Sequence, residues 1–297
     1  MSIRDGLLVV DKPLGPTSHD VVALARRLYQ TRAVGHAGTL DPMASGVLLL
    51  LLGEATKLSR YLALDEKRYR VKIGFGRSTD SFDADGQTTA LERLPADWLA
   101  PSKLAQALER ERARAEQIPP AISAVQVDGR RAYRLTRSGA APELRPRPVA
   151  VRQIELISAS GASAEFELDV SKGYYVRAFA RDLGEALGVP AHVAELRRLA
   201  SGSFTLDEAI VWPPDRPVAV TPLAAAAARC LPVARLLPTS ETRARQGVRL
   251  DWSDFGHPPP PSGPAAWLGP GGELVAIGEP CGSDYRVLRG FNPVSGR

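Results

Sequence analysis

The sequence predicts a large unit in which helices and strands mix, followed by a small all-β unit. Three observations predict it: stretches of apolar alternation, stretches with apolar residues at helical i, i+4 spacing, and a change of texture after about residue 232. The 297-residue chain is long enough for one core of about 200–250 residues with a small domain appended, which places the division at 1–232 and 233–297.

Gly6 to Val10 is a short β-like run that ends in the turn Asp11-Lys-Pro-Leu-Gly-Pro16, where two prolines and a glycine restrain the backbone. A helix follows: Thr17 or Ser18 can cap it, Thr17 stands at capping-box spacing from Asp20, and Val21, Leu24, Ala25 and Leu28 form one apolar stripe. Val47 to Leu52 reads as a buried strand, and Gly53 to Leu62 as a helix turning Leu58 and Leu62 inward. Tyr69, Val71, Ile73 and Phe75 alternate with Arg68, Arg70 and Lys72, so this strand has an apolar and a basic face and Tyr69 points to the core side. Residues 103–116 read as a charged, solvent-exposed helix that stops at Pro119-Pro120. Phe166, Leu168 and Val170 alternate again, the turn Ser171-Lys-Gly173 follows, and Phe179, Leu183 and Leu187 repeat at helical spacing up to Gly188. Strand, turn and helix place Tyr175 and Arg177 at the junction. Ala224 to Ala228 reads as a helix end, and the small β unit draws on runs near Ala265 to Leu268, Leu274 to Ile277 and Arg286 to Leu288, interrupted at Pro258 to Pro261.

Within this frame one segment is unlike the rest. Gly35-His-Ala-Gly-Thr-Leu-Asp-Pro-Met-Ala-Ser-Gly46 sets Asp41 in a stretch too glycine-rich for a helix and too broken by Pro42 for a central strand. Gly35, Gly38 and Gly46 permit close approach and unusual dihedrals, while Pro42 pushes Asp41 away from helical geometry. A carboxylate held in a stiff, open loop is a candidate catalytic group; an aspartate that caps a turn is the competing reading.

A net charge of +5 and a pI near 9.4 favour polyanionic partners. The 32 arginines against six lysines suit bidentate phosphate contacts, but the codon usage of a GC-rich genome is the leading explanation. Residues 124–150 carry Arg130, Arg131, Arg134, Arg137, Arg145 and Arg147 among glycines and prolines, and read as a mobile basic flap over a polyanionic partner or as a solvated loop. Cys230 and Cys281 stand far apart without histidines at ligand spacing, so they are expected to be reduced, structural thiols. The first residues show no signal-peptide pattern and the longest apolar run, Val47 to Leu52, falls far short of the roughly 20 residues of a membrane helix, so a cytoplasmic location without membrane association is expected.

Ser81-Phe-Asp-Ala-Asp-Gly86 with Glu92 imitates a calcium loop, but the first ligand is a serine and a strand precedes it; it reads as a polar loop whose carboxylates cap backbone groups. His36 has no neighbouring Ser or Cys to activate and reads as a hydrogen-bonding or stacking group. Gly74-Phe-Gly76 lacks the rest of either nucleotide fingerprint. No cofactor and no metal are expected.

Seven segments in order resemble the bacterial tRNA pseudouridine synthase B family: Gly6 to Ser18; Gly35 to Gly46; Lys67-Arg-Tyr-Arg70; Asp80 to Gly86; Ile118-Pro-Pro-Ala-Ile-Ser-Ala124; Ser171-Lys-Gly-Tyr-Tyr-Val-Arg177; and Ala191-His-Val-Ala-Glu-Leu-Arg-Arg-Leu199. The resemblance implies an α+β catalytic domain with a central, largely antiparallel mixed sheet and, for the tail, a PUA-like RNA-binding domain closed by Leu288 to Pro293. It implies conversion of uridine 55 in the tRNA T-loop to pseudouridine, with Asp41 as the catalytic aspartate, Arg177 as the arginine pairing with it and Tyr69 packing on the target base. His36, Tyr175 and Leu196 are implied to contact substrate. The T-arm of tRNA is the expected partner, and nothing demands an obligate protein partner or more than a monomer. The alternatives are a tRNA-folding protein without turnover and a guide-dependent rRNA enzyme, the latter disfavoured by the lack of a charged low-complexity tail.

Overall fold

A computed structural model describes residues 5–63, 66–122, 126–127, 130–131 and 144–292. Its centre is a mixed sheet in which β1 (Gly6–Lys12), β2 (Val34–Ala37), β3 (Ala44–Leu52), β4 (Lys67–Phe75), β5 (Val151–Ser160), β6 (Ser163–Val170) and β7 (Ala191–Ser201) carry most of the pairing. The order across the sheet is β5-β6-β4-β7-β3-β1, with Ile210–Val211 on the outer edge of β1 and β2 paired to β3. All pairs among these strands are antiparallel except β7 with β3 and β1 with Ile210–Val211. The expected largely antiparallel mixed sheet is therefore present.

β3 explains why Val47 to Leu52 is uninterruptedly apolar. Leu48, Leu50 and Leu52 enter one core cluster, while Val47, Leu49 and Leu51 enter a second on the opposite face. A strand covered on both sides cannot alternate. The first cluster includes Val21, Val22 and Ala25 of α1 (Ser18–Leu28) and Phe179, Ala180 and Leu183 of α3 (Val176–Leu187). α1 begins with the full capping box, Thr17 Oγ1 accepting the Asp20 amide and the Asp20 carboxylate accepting the Thr17 amide.

The helix expected over 103–116 is α2 (Pro101–Arg112), shorter and less exposed than its composition implied. Leu104, Ala107 and Leu108 are buried, and so is Glu111, which accepts the Tyr174 hydroxyl at 2.8 Å and pairs with Arg114 at 2.7 Å. Burial pushes the Glu111 carboxyl up and the Tyr174 phenol well above its ordinary value. The stretch Gly53 to Leu62 opens as a 3-10 helix to Leu58 before one α turn, with Leu58 and Leu62 fully buried as expected. The basic face of β4 is also not bare. Arg70 faces Glu165 and Glu167, Arg68 faces Glu167 and Lys72 faces Glu195, so cross-strand carboxylates neutralise it.

The tail forms a separate five-stranded sheet: β8 (Val233–Leu236), β9 (Phe255–His257), β10 (Ala265–Leu268), β11 (Leu274–Cys281) and β12 (Asp284–Gly290), in the order β9-β8-β10-β11-β12. Ala266, Leu268, Leu274 and Ile277 join Val47, Leu49 and Leu51 in the second core cluster, so this small sheet packs on the face of the main sheet opposite α1 and α3. No helix among the described residues is long and apolar enough to cross a membrane.

Candidate active site

The loop Gly38–Met43 leaves β2 and returns as β3, and four independent ties fix it. Ser18 at the start of α1 accepts the Leu40 amide at 2.8 Å and donates its hydroxyl to the Leu40 carbonyl at 3.0 Å. The Gly15 amide donates to the Pro42 carbonyl at 2.9 Å, and the Ala44 amide to that of Asp41 at 3.1 Å. Lys12, with no exposed surface, secures the Pro13–Pro16 turn behind Gly15 by donating to the carbonyls of Pro13 (2.8 Å) and Pro16 (2.9 Å). Burial lowers its ammonium to about 8 against the opposing pull of Asp41.

The fourth tie is Arg198 of β7, 1% exposed. Its guanidinium donates to three backbone carbonyls, Val47 (2.6 Å), Gly38 (3.0 Å) and Thr39 (3.4 Å). Gly46 makes this approach possible: its φ is +103°, and a Cβ there would collide with the Arg198 backbone, 2.7 Å from its nitrogen. Gly38 also has a positive φ, +82°. Gly35 does not share this role. It sits in β2, and a Cβ there would meet only Thr56, at 3.9 Å.

Asp41 thus lines a cavity of about 270 Å³. Lys67 and Tyr69 of β4, Leu196 and Arg198 of β7, and the junction from Ser171 to Arg177 line it with Asp41. Tyr69 lies directly across the β4–β7 ladder from Arg198, which is why the inward face of the alternation carries it into the cavity. Arg177 Nε lies 2.9 Å from Asp41 Oδ2, and the two form an ion pair. The pair is asymmetric: the Asp41 side chain is 36% exposed and the Arg177 side chain 6%, so the carboxylate faces the cavity and the guanidinium backs it. Arg177 also donates to the Ser81 carbonyl at 3.0 Å and lies 3.5 Å from Asp83.

Of the residues singled out in the sequence, Asp41, Tyr69, Tyr175, Arg177 and Leu196 converge on this cavity. His36 does not line it. It lies in β2 with its ring edge-on to His19 at 5.4 Å, and burial lowers its imidazole to about 4. The calcium-like loop is a polar loop as read: Asp83 accepts the Ser81 hydroxyl and the Asp85 amide, and Asp80 accepts the Gln87 amide. Asp83 has a second role that sequence reading missed, because nothing in the local spacing shows that Arg177, 94 residues on, reaches it. Lys12 and Arg198 were likewise passed over, although each lies inside a quoted segment. Among the described residues no cluster of three or more His, Cys, Asp or Glu could hold a metal. Most of the basic stretch 124–150 lies outside the described residues; the root strand Arg147–Pro148 is described and pairs with Glu116–Gln117.

Comparison with known proteins places this geometry. Residues 26–176 match the family described as TruB family pseudouridylate synthase (N terminal domain), and residues 177–212 match the tRNA pseudouridylate synthase B C-terminal domain. A tRNA pseudouridine synthase B from Thermobifida fusca (strain YX) is 43% identical over 288 residues, covering 93% of this chain and 95% of that protein. One from Mycobacterium tuberculosis (strain ATCC 25618 / H37Rv) is 47% identical over 208 residues, 69% of each chain. Among solved structures, a Cbf5-Nop10-Gar1 complex contains a chain with TM-score 0.74 and 27% identity, over 99% of this chain and 87% of that one. An H/ACA RNP bound to a substrate RNA containing 2'-deoxyuridine gives TM-score 0.73 at 26% identity, with the same coverages.

Proposed function

The chain belongs to the TruB family of pseudouridylate synthases, and from that premise we propose that it isomerises uridine 55 in the T-loop of tRNA to pseudouridine, with Asp41 as the reacting carboxylate. The N1–C1′ bond breaks, the detached base turns in place, C5 bonds to C1′, and the C5 proton leaves while N1 gains one. Atoms balance without an oxidant, reductant or nucleotide. Every available route needs a carboxylate that can attack or accept a proton.

The observation that carries this reading is the Asp41–Arg177 pair: an accessible carboxylate oriented from behind by a buried guanidinium, on a loop held by Ser18, Gly15 and Arg198. Such preorganisation lets the carboxylate keep its place while the base moves above it.

A base within a stacked loop cannot reach Asp41, so the target nucleotide flips out, at a cost of a few kcal/mol. Tyr69 recovers part of that by stacking, which contributes about 1–3 kcal/mol per base. Tyr175 and Leu196, which also line the cavity, contact the base. His36 is neutral near pH 7, because its imidazole is lowered to about 4, and it serves substrate contact outside the cavity rather than proton transfer. The C-terminal sheet acts as a PUA-like RNA-binding domain, a reading supported by its separate small β architecture and by exposed Arg235, Arg249 and Arg289. The enzyme acts as a monomer in the cytoplasm.

Release of tritium from a tRNA transcript labelled at uridine C5 tests the proposal. The purified protein should release it without added cofactor, and a transcript with uridine 55 replaced by cytidine should release nothing from that position. Binding of folded tRNA without release would favour a tRNA-folding protein that does not turn over.

A further inference from the structure

We propose that Gln117 is a positioning residue for this reaction, holding the Tyr175 backbone, and through it Arg177, in register with Asp41. The inference rests on the reading of the cavity as the uridine site. Gln117 is 2% exposed, an unusual place for a glutamine, and both ends of its amide are used on a single residue. Its Oε1 accepts the Tyr175 N–H at 2.8 Å and its Nε2 donates to the Tyr175 carbonyl at 3.2 Å. The side chain thus acts as a short strand partner for one residue of the cavity wall.

That residue is where the wall changes direction. Gly173 leaves the turn with φ +81°, Tyr175 is extended at φ −107° and ψ 112°, and α3 starts at Val176 without a side-chain cap. Two residues on, Arg177 meets Asp41. A displaced Tyr175 would carry with it both its own ring, which lines the cavity, and the first turn of α3, from which Arg177 projects.

Gln117 can impose this order because its own backbone is fixed from two sides. It pairs with Arg147 in the antiparallel bridge Glu116–Gln117 with Arg147–Pro148, and the neighbouring Val149 amide donates to the Ala115 carbonyl at 3.0 Å. The next residue, Ile118, accepts Arg181 Nη2 through its carbonyl at 3.1 Å. The strand pair therefore grips the start of α3 at Tyr175 and again at Arg181, somewhat over one and a half turns later. None of these contacts touches Asp41, so the effect is on geometry alone.

The test uses the full chain with Gln117→Leu, which removes both hydrogen bonds, and Gln117→Glu, which keeps the shape and the acceptor but sets an oxygen against the Tyr175 carbonyl. Hydrogen exchange followed on peptides spanning residues 174–177 should show the Tyr175 amide exchanging at least about tenfold faster in Gln117→Leu, as expected when a local hydrogen bond is lost. Under saturating tRNA the single-turnover rate should fall about tenfold while tRNA Kd stays within about twofold, the pattern of misplacement rather than lost binding. In an Arg177→Met background the same change should cost less than about threefold, because the Arg177–Asp41 register that Gln117 sets is already lost. Unchanged exchange, an unchanged rate in folded protein, or the full tenfold loss repeated in the Arg177→Met background would each overturn the assignment. Should Gln117→Leu not fold, Gln117→Glu carries the rate and coupling measurements. If the wild type releases no tritium, the uridine-site reading fails, while the exchange measurement still decides whether Gln117 holds Tyr175.

Discussion

Arg198→Met should separate the role of loop geometry from the role of substrate binding. The wild-type guanidinium serves the carbonyls of Val47, Gly38 and Thr39. Methionine fills much of the space and serves none of them. Thr39 is exposed and Gly38 half-buried, so their carbonyls can regain water; Val47 is fully buried and its carbonyl cannot. One stranded buried acceptor costs about 1–3 kcal/mol. Removing a buried positive charge that repels Lys12 offsets part of that. A net loss of about 1–2 kcal/mol corresponds to a Tm lower by about 2–8 °C for a domain of this size. The kinetic consequence is larger. With Gly38 and Thr39 untethered, Asp41 loses one of its four restraints, and a shift of about 1 Å in a reacting group can cost about 100-fold. Tritium release in single turnover, measured at least 15 degrees below the variant's own Tm, should be about 10- to 100-fold slower, with tRNA Kd unchanged. Arg198→Lys, with one ammonium for three carbonyls, should lie between. A wild-type rate for Arg198→Met in folded protein would refute the argument that the buried guanidinium holds the catalytic loop.

Three further outcomes follow from the same geometry. Gly46→Ala should yield little soluble protein or a strongly lowered Tm, because a Cβ at φ +103° strikes the Arg198 backbone of the adjacent strand; a normal melt would show that β3 and β7 can part at no cost. Asp83→Asn should slow single turnover about tenfold with tRNA binding intact, since Arg177 loses the second of its two carboxylates and its hold on Asp41 loosens. An NMR titration should place the His36 imidazole near 4, and activity should show no inflection from it between pH 6 and 8. Its folded value lies below the unfolded value of about 6.5, so the unfolded chain binds the extra proton first and stability falls as the pH drops from about 6.5 towards 4. A His36 titration near 6.5 would contradict the burial argument.

The elements carrying local signals were legible in the sequence. The Thr17–Asp20 capping box, the alternation through Tyr69 and the i, i+4 repeat from Phe179 to Leu187 each depend on neighbours within one element, and the structure reproduces all three. What escaped depends on partners far apart in sequence. Glu111 sits on a helix whose composition looks solvated, and its buried hydroxyl partner, Tyr174, lies 63 residues on. The alternation showed β4 with a basic face, but Glu165, Glu167 and Glu195 arrive from adjacent strands and neutralise it. In the site, Asp41 stood out because its loop is conformationally odd, and Arg177 because it falls at the junction of a strand, a turn and a helix. Arg198 and Gln117 gave no such sign. A buried guanidinium on backbone carbonyls and a buried amide on one residue's peptide groups leave no pattern in residue order. They become visible only when β7 lies beside β3 and the Glu116–Gln117 strand lies beside the start of α3.

The central claim is that Asp41 reacts and that the rest of the cavity holds it in place. Asp41→Asn is nearly isosteric and removes only the charge and the reacting oxygen, so tritium release from uridine C5 of folded tRNA and tRNA affinity can be read on the same preparation. The account predicts release at background with tRNA Kd within about threefold of wild type. Sustained release by the Asp41→Asn protein, at anything near the wild-type rate, would contradict it.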